Sequence, residues 1–162
     1  ILIIGLDNAG KTTLTQRLLK SFKQQTLIQN SIIPTIGIET YNFKIQYSQY
    51  KIFDLGGSGR FRSMWELYSS EATHIVIVVD GADDSRLFLI RDQLSQLYQN
   101  MKKQGQKIIL ACNKKDLTNF IPFEKVEAAC RFQGIFKELN IRGFNISALK
   151  EEGVEQVYEA IK

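Results

Sequence analysis

Apolar residues fall along this chain in short unbroken runs, and between the runs they recur every three or four positions. The runs are Ile1-Leu2-Ile3-Ile4, His74–Asp80, Lys107–Cys112 and Ile141–Ile146. Runs of that length, bounded by polar residues or glycine, mark strands buried on both faces of a parallel sheet. Helical spacing appears at Leu14, Leu18, Leu19 and Phe22, and again at Leu87, Ile90, Leu94, Leu97 and Met101. It returns at Phe123, Val126, Ala129 and Cys130, with Pro122 suited to the first turn, and at Val154, Val157, Tyr158 and Ile161. Two strand-like runs, Ile38–Tyr47 and Tyr50–Leu55, are linked by Ser48-Gln49 and predict a hairpin, the one antiparallel pair expected. Before it lies a polar, irregular span, Lys23 to Ile33, closed by Pro34-Thr35-Ile36-Gly37, where Pro34 and Gly37 argue against helix. Strands alternating with helices, without repeat or linker, predict one α/β domain over 1–162: a mostly parallel six-stranded sheet covered by helices on both faces.

Composition changes this picture little. The net charge of +4 over 162 residues is mild and forms no long basic run. It is compatible with an acidic membrane surface and gives no reason to expect nucleic acid as a partner. Cys112 and Cys130 fall in apolar patterns and are read as small packing residues, as suits a reducing, cytoplasmic compartment. No apolar run approaches the length that spans a bilayer. The chain starts inside a strand without Met, so any N-terminal anchor or lipid site would lie upstream of Ile1.

The chemistry gathers in the loops after the strands, where open α/β sheets bind ligands. Gly5-Leu6-Asp7-Asn8-Ala9-Gly10-Lys11-Thr12-Thr13 fits the phosphate-loop pattern between a strand and a helix. Phosphate oxygens need donors, and a helix start offers unpaired amides and a positive dipole end. Lys11 adds a point charge for the outer phosphates, and Thr12 a hydroxyl for magnesium. Asp54-Leu55-Gly56-Gly57 follows the third strand. Asp54 can hold a magnesium-bound water, and the Gly57 amide can meet a terminal phosphate. Thr35 supplies a second magnesium hydroxyl whose bond depends on a third phosphate, the logic of an order–disorder switch. Asn113-Lys114-Lys115-Asp116 reads the base: a guanine edge presents paired donors that the Asp116 carboxylate accepts together. The Lys114 stem covers a base face and Asn113 ties loops together. Ser147-Ala148-Leu149 can aim amides at the guanine oxygen. The expected site is therefore Asp7, Asn8, Ala9, Gly10, Lys11, Thr12, Thr13, Thr35, Gly57, Asn113, Lys114, Asp116, Ser147, Ala148 and Leu149, for GTP/GDP, with Mg2+ on Thr12, Thr35 and, through water, Asp54.

On these motifs the chain resembles the Arf/Arf-like family of small GTPases over essentially its whole length. Asp7 within the phosphate loop and the paired Gly56-Gly57 set this branch apart from Ras- and Rab-like proteins. The stretch Phe53-Asp54, Gly59-Arg60-Phe61-Arg62 and Trp65-Glu66-Leu67-Tyr68 most resembles its ciliary-trafficking members. The resemblance implies a small-GTPase fold and a membrane-trafficking switch. GTP would shift the hairpin by a register step, expel an N-terminal helix onto the membrane, and expose a surface to effectors. Effector, exchange and activating proteins would bind through Thr35–Phe53 and Ser58–Tyr68, with Ile38, Phe53, Trp65 and Tyr68 as the apolar patch. A core role for Trp65 is an equal expectation. The location implied is cytoplasmic and peripheral to membranes, at the cilium or basal body in the nearest branch.

Three departures matter. Ser58 stands where the family usually has the glutamine that orients the attacking water, and its hydroxyl is too short for that task. Very slow hydrolysis is expected, and a GTP-holding scaffold without turnover is the alternative. The Lys23–Ile33 span is longer than usual. No arginine finger is evident, and Arg60 and Arg62 are assigned to surface or partner contacts. An ATP-dependent phosphoryl transferase is disfavoured by Asn113–Asp116 and by the absence of an arginine-rich lid. His74 begins a buried strand with no obvious nucleophile or metal partner.

Overall fold

A computed structural model describes residues 1–22, 37–45, 47–100, 105–130 and 141–162. Thr35 and the Lys23–Ile33 span lie outside the described residues. The elements in chain order are β1 (Leu2–Ile4), α1 (Lys11–Ser21), β2 (Ile38–Ile45), β3 (Ser48–Leu55), α2 (Ser63–Ser69), β4 (His74–Asp80), α3 (Leu87–Asn100), β5 (Lys107–Asn113), α4 (Phe123–Cys130), β6 (Ile141–Asn145) and α5 (Val154–Ile161). They form a six-stranded sheet in the order β2-β3-β1-β4-β5-β6. The β2–β3 pair is antiparallel and every other pairing is parallel.

Side chains alternate across each strand, so the central runs feed two cores. Leu2 and Ile4 of β1, with Ile75, Ile77 and Val79 of β4, pack toward Trp65, Leu87, Ile90, Leu94 and Val126 from the helices on that face. Ile1, Ile3, Val76 and Val78 pack on the opposite face against Leu14 and Leu18 of α1 and Val157 and Ile161 of α5. Every residue of β4 is buried, which is why the run is apolar without alternation. Full burial of each such Leu, Ile or Val contributes roughly 1.5–3 kcal/mol as an upper estimate.

Two boundaries differ from the expected ones. Ser48 and Gln49 are not the turn: they belong to β3 and pair with Ile45 and Lys44. The stretch Gln46-Tyr47-Ser48-Gln49 has no glycine, asparagine or proline to place a turn, so cross-strand pairing decides it. The β5 run continues by one residue to Asn113, which pairs with Asp80. Both polar ends thereby share one edge of the sheet, the edge that carries the loops.

Candidate functional site

The loop after β1 is shaped by its glycines and by one strained asparagine. Gly10, at φ 91°, is the residue before α1, and a Cβ there would lie 2.2 Å from Asn113 Nδ2. Asn8 takes the left-handed conformation at φ 60°, which asparagine tolerates better than most residues. Leu14 N donates to Gly10 O, so the helix ladder begins at once and the first helical amides have no partner within the helix. Lys11 is buried, and its Nζ donates to Leu6 O at 2.9 Å. Burial lowers the Lys11 pKa, opposed by the nearby Asp54 and Asp7 carboxylates.

Asp54, near the end of β3, is fully buried. Neither carboxylate oxygen has a hydrogen-bond partner at bonding distance among the described residues. Burial pushes its pKa up to about 6, while the Thr12 and Thr15 hydroxyls and Lys11 favour the charged form. An orphaned carboxylate close to a threonine hydroxyl and a lysine is an oxygen donor set that fits a hard, partly hydrated divalent cation.

Three residues on, Gly57 packs its backbone directly on the phosphate loop. A Cβ there would come within 2.3 Å of Asp7 N and 2.6 Å of Gly5 O. Ser58 follows in extended conformation, and its Oγ is buried without a partner among the described residues.

Across the cleft, Asn113 holds two loops at once. Its Nδ2 donates to Ala9 O at 2.8 Å, and its Oδ1 accepts from Ala148 N at 2.9 Å. Lys114 sits at φ 70°, with Nζ 2.6 Å from Asp80 Oδ2. Asp116 is exposed, and its Oδ1 accepts from Ser147 Oγ at 2.6 Å, a bond that holds its carboxyl below the usual range. The Ser147 and Ala148 amides, expected to face a base oxygen, are engaged instead. Ser147 N donates to Glu152 O and Ala148 N to Asn113 Oδ1, because the loop closes on itself and on Asn113. Leu149 is exposed and lines the cleft.

These groups meet in one cleft of about 650 Å³, lined by Asp7, Asn8, Gly10, Lys11, Thr12, Thr13, Gly57, Ser58, Asn113, Lys114, Asp116, Leu117 and Leu149. That volume falls in the range of small-molecule sites. Ala9, Ser147 and Ala148 sit behind the lining as supports. Residues that the sequence did not single out are Asp80, which holds Lys114, and Arg86, whose Nη1 reaches Asp7 Oδ2 at 3.1 Å. Asp80 was visible only as the polar end of an apolar run, and Arg86 only as a polar residue ahead of Leu87. Arg62, assigned to the surface, also lies by Asp7, with Nη2 3.9 Å from Oδ1. Trp65 belongs to the core at 2% exposure, and the exposed apolar side chain of α2 is Leu67. Ile38, Phe53 and Tyr68 are partly buried against that core, with the Phe53 and Tyr68 rings 4.9 Å apart.

His74 is buried, and its Nδ1 shares a 2.9 Å hydrogen bond with Thr73 Oγ1. Among the described residues no group of three or more His, Cys, Asp or Glu is arranged to hold a metal. No helix among them is long and apolar enough to cross a membrane.

The chain is 34% identical over 128 residues to ADP-ribosylation factor-like protein 6 of Danio rerio, covering 78% of this chain and 67% of that one. It is 31% identical over 159 residues to ADP-ribosylation factor-like protein 1 of Drosophila melanogaster, covering 98% and 84%. Its fold superposes with a TM-score of 0.84 and 22% identity on the Arl6 (BBS3) small GTPase of Trypanosoma brucei, solved with the nucleotide analogue GppNp, over 98% of this chain and 91% of that one. A chain in the structure of the mammalian SRP receptor matches with a TM-score of 0.81 and 20% identity, over 99% and 96%. The model of the ADP-ribosylation factor family matches residues 1–162. The chain belongs to the ADP-ribosylation factor family, the Arf and Arf-like small GTPases.

Proposed function

We propose that this protein is a GTP-operated switch of the Arf-like type, acting in membrane or ciliary trafficking with slow intrinsic GTP hydrolysis. The observation that carries the reading is the single cleft in which the phosphate loop, Gly57 and the Asn113–Asp116 loop converge. Amides at the start of α1 and Lys11 take the phosphates. Asp116, held by Ser147, presents a charged carboxylate to the donor edge of guanine, and Lys114, held by Asp80, covers one face of the base. Asn113 keeps the two halves of the cleft at a set distance by bonding Ala9 and Ala148.

Thr12 and Asp54 would hold Mg2+, Asp54 through water, with Thr35 as the further hydroxyl; the ion would neutralise charge on the outer phosphates. Gly57, packed on Asp7, would feel a third phosphate through its amide. Effector, exchange and activating proteins would engage Thr35–Phe53 and Ser58–Tyr68, where Leu67 is exposed. Membrane association would come from a segment upstream of Ile1.

Ser58 lines the cleft at the position expected to orient the attacking water, with a short side chain. That favours slow turnover, and it supports a second reading in which the protein holds GTP and does not hydrolyse it. Competition against bound fluorescent GDP with Mg2+ present tests the nucleotide assignment. GDP and GTP should displace it at micromolar concentration or below, and ATP should fail to compete even at a thousandfold excess. Displacement by ATP at comparable concentration, or no GDP binding at all, would overturn the assignment.

A further inference from the structure

Asp7 is the one acidic residue in the phosphate loop, and its side chain lines the cleft. A carboxylate beside a site built for phosphate repels the ligand unless its charge is held elsewhere. Two guanidinium groups from different elements hold it here. Arg86, at the turn into α3, brings Nη1 to 3.1 Å from Asp7 Oδ2 and 3.3 Å from Asp7 O. Arg86 is itself bonded through Nε to Asp83. Arg62 places Nη2 3.9 Å from Asp7 Oδ1, and its Nε donates to Gly57 O at 3.3 Å. Its charge is thus fastened to the residue whose amide would meet a terminal phosphate.

The side chain of Asp7 is 58% exposed, and ion pairs so open to water contribute little to fold stability. Their effect on the cleft is a field effect. The formal charges of Asp7, Asp83, Arg62 and Arg86 cancel, and removing the one on Asp7 leaves the mouth of the cleft positive. A triphosphate carries more negative charge than a diphosphate and gains more from that change. Conversely, removing the charge of Arg62 or Arg86 leaves an acidic group uncompensated and penalises the triphosphate.

We propose that Asp7, held by Arg62 and Arg86, sets the preference of this protein between the tri- and the diphosphate nucleotide. The proposal rests on the GTP/GDP reading above. The test is calorimetric titration of the full chain, with Mg2+, using GDP and GppNp on the wild type and on Asp7→Asn, Arg62→Gln and Arg86→Gln. The readout is the ratio of the two affinities. Asp7→Asn should raise the GppNp-to-GDP ratio about tenfold, the order expected for one unit charge within ~10 Å after partial screening. Arg62→Gln and Arg86→Gln should lower it several-fold, and all three shifts should shrink in high salt. A purely structural clip would instead weaken both nucleotides together in every variant. Wild-type binding with ratios within about twofold in all three variants overturns this proposal alone. A wild type that binds neither nucleotide overturns the GTP reading and this proposal with it.

Discussion

Lys114 Nζ and Asp80 Oδ2 lie 2.6 Å apart at the ends of two neighbouring parallel strands, and under the proposed guanine reading the pair would set the wall for the base. Asp80 is nearly buried and fixed further by the Ala82 amide, which donates to its Oδ1 at 3.0 Å. Lys114 has a left-handed backbone, and its long, flexible stem is anchored at its tip by Asp80. Asp80→Asn should weaken GDP and GTP by a similar factor, roughly tenfold, since a hydrogen bond to a charged group is worth roughly 1.5–3 kcal/mol. Equilibrium titration with both nucleotides checks this. An unchanged affinity would show that Lys114 needs no support.

Asn113→Ala should be costly without any ligand. The substitution leaves Ala9 O and Ala148 N without their buried partner, and each orphaned group costs about 1–3 kcal/mol. A thermal midpoint lowered by several degrees in the nucleotide-free protein is the expected outcome. Asn113→Asp should be nearly as damaging, because it removes the donor to Ala9 O.

Under the proposed hydrolysis reading, Ser58→Gln would place an amide where the attacking water is to be oriented. Single-turnover hydrolysis of bound GTP should rise by at least about tenfold, within the range of a positioned acid–base or orienting group. GDP affinity should stay within about twofold. Equal hydrolysis rates in both proteins would remove Ser58 as the reason for slow turnover.

His74 gives a pH signature. Burial pushes its pKa down to about 4, helped by Lys107, so the folded protein keeps the ring neutral. The unfolded chain binds a proton there at about pH 6.5, so the unfolded state holds more protons between about pH 4 and 6.5. This group therefore makes stability rise with pH across that window and is flat above it. Asp54 acts in the opposite sense over an overlapping window, because its folded pKa is raised to about 6. The prediction is consequently read as a difference: denaturant midpoints of wild type and His74→Gln should diverge progressively below about pH 6.5. The variant should lose less stability on acidification.

Several features were legible in the chain order alone. The phosphate loop, the Asp-x-x-Gly turn and the Asn113–Asp116 loop are local patterns, and each depends on a few consecutive residues placed between a strand and the next element. The runs of β4 and β5 and the spacing of α3, α4 and α5 likewise come from local burial periodicity. The hairpin existed in the sequence, but its expected turn residues, Ser48 and Gln49, pair within the ladder, since no residue there demands a turn conformation.

What only the tertiary structure decided is how distant polar groups share charge. Arg62 and Arg86 meet Asp7 from separate elements, Asp80 meets Lys114, and Asn113 spans from Ala9 to Ala148. No periodicity encodes such pairs, because they depend on which strand ends the parallel sheet brings side by side. Trp65 shows the same limit in reverse: on the seven-residue α2, spacing cannot tell a core face from a partner face, and packing against the sheet chose the core. Local sequence determined the loops and what each could bind; the order of strands determined which of their charges act together.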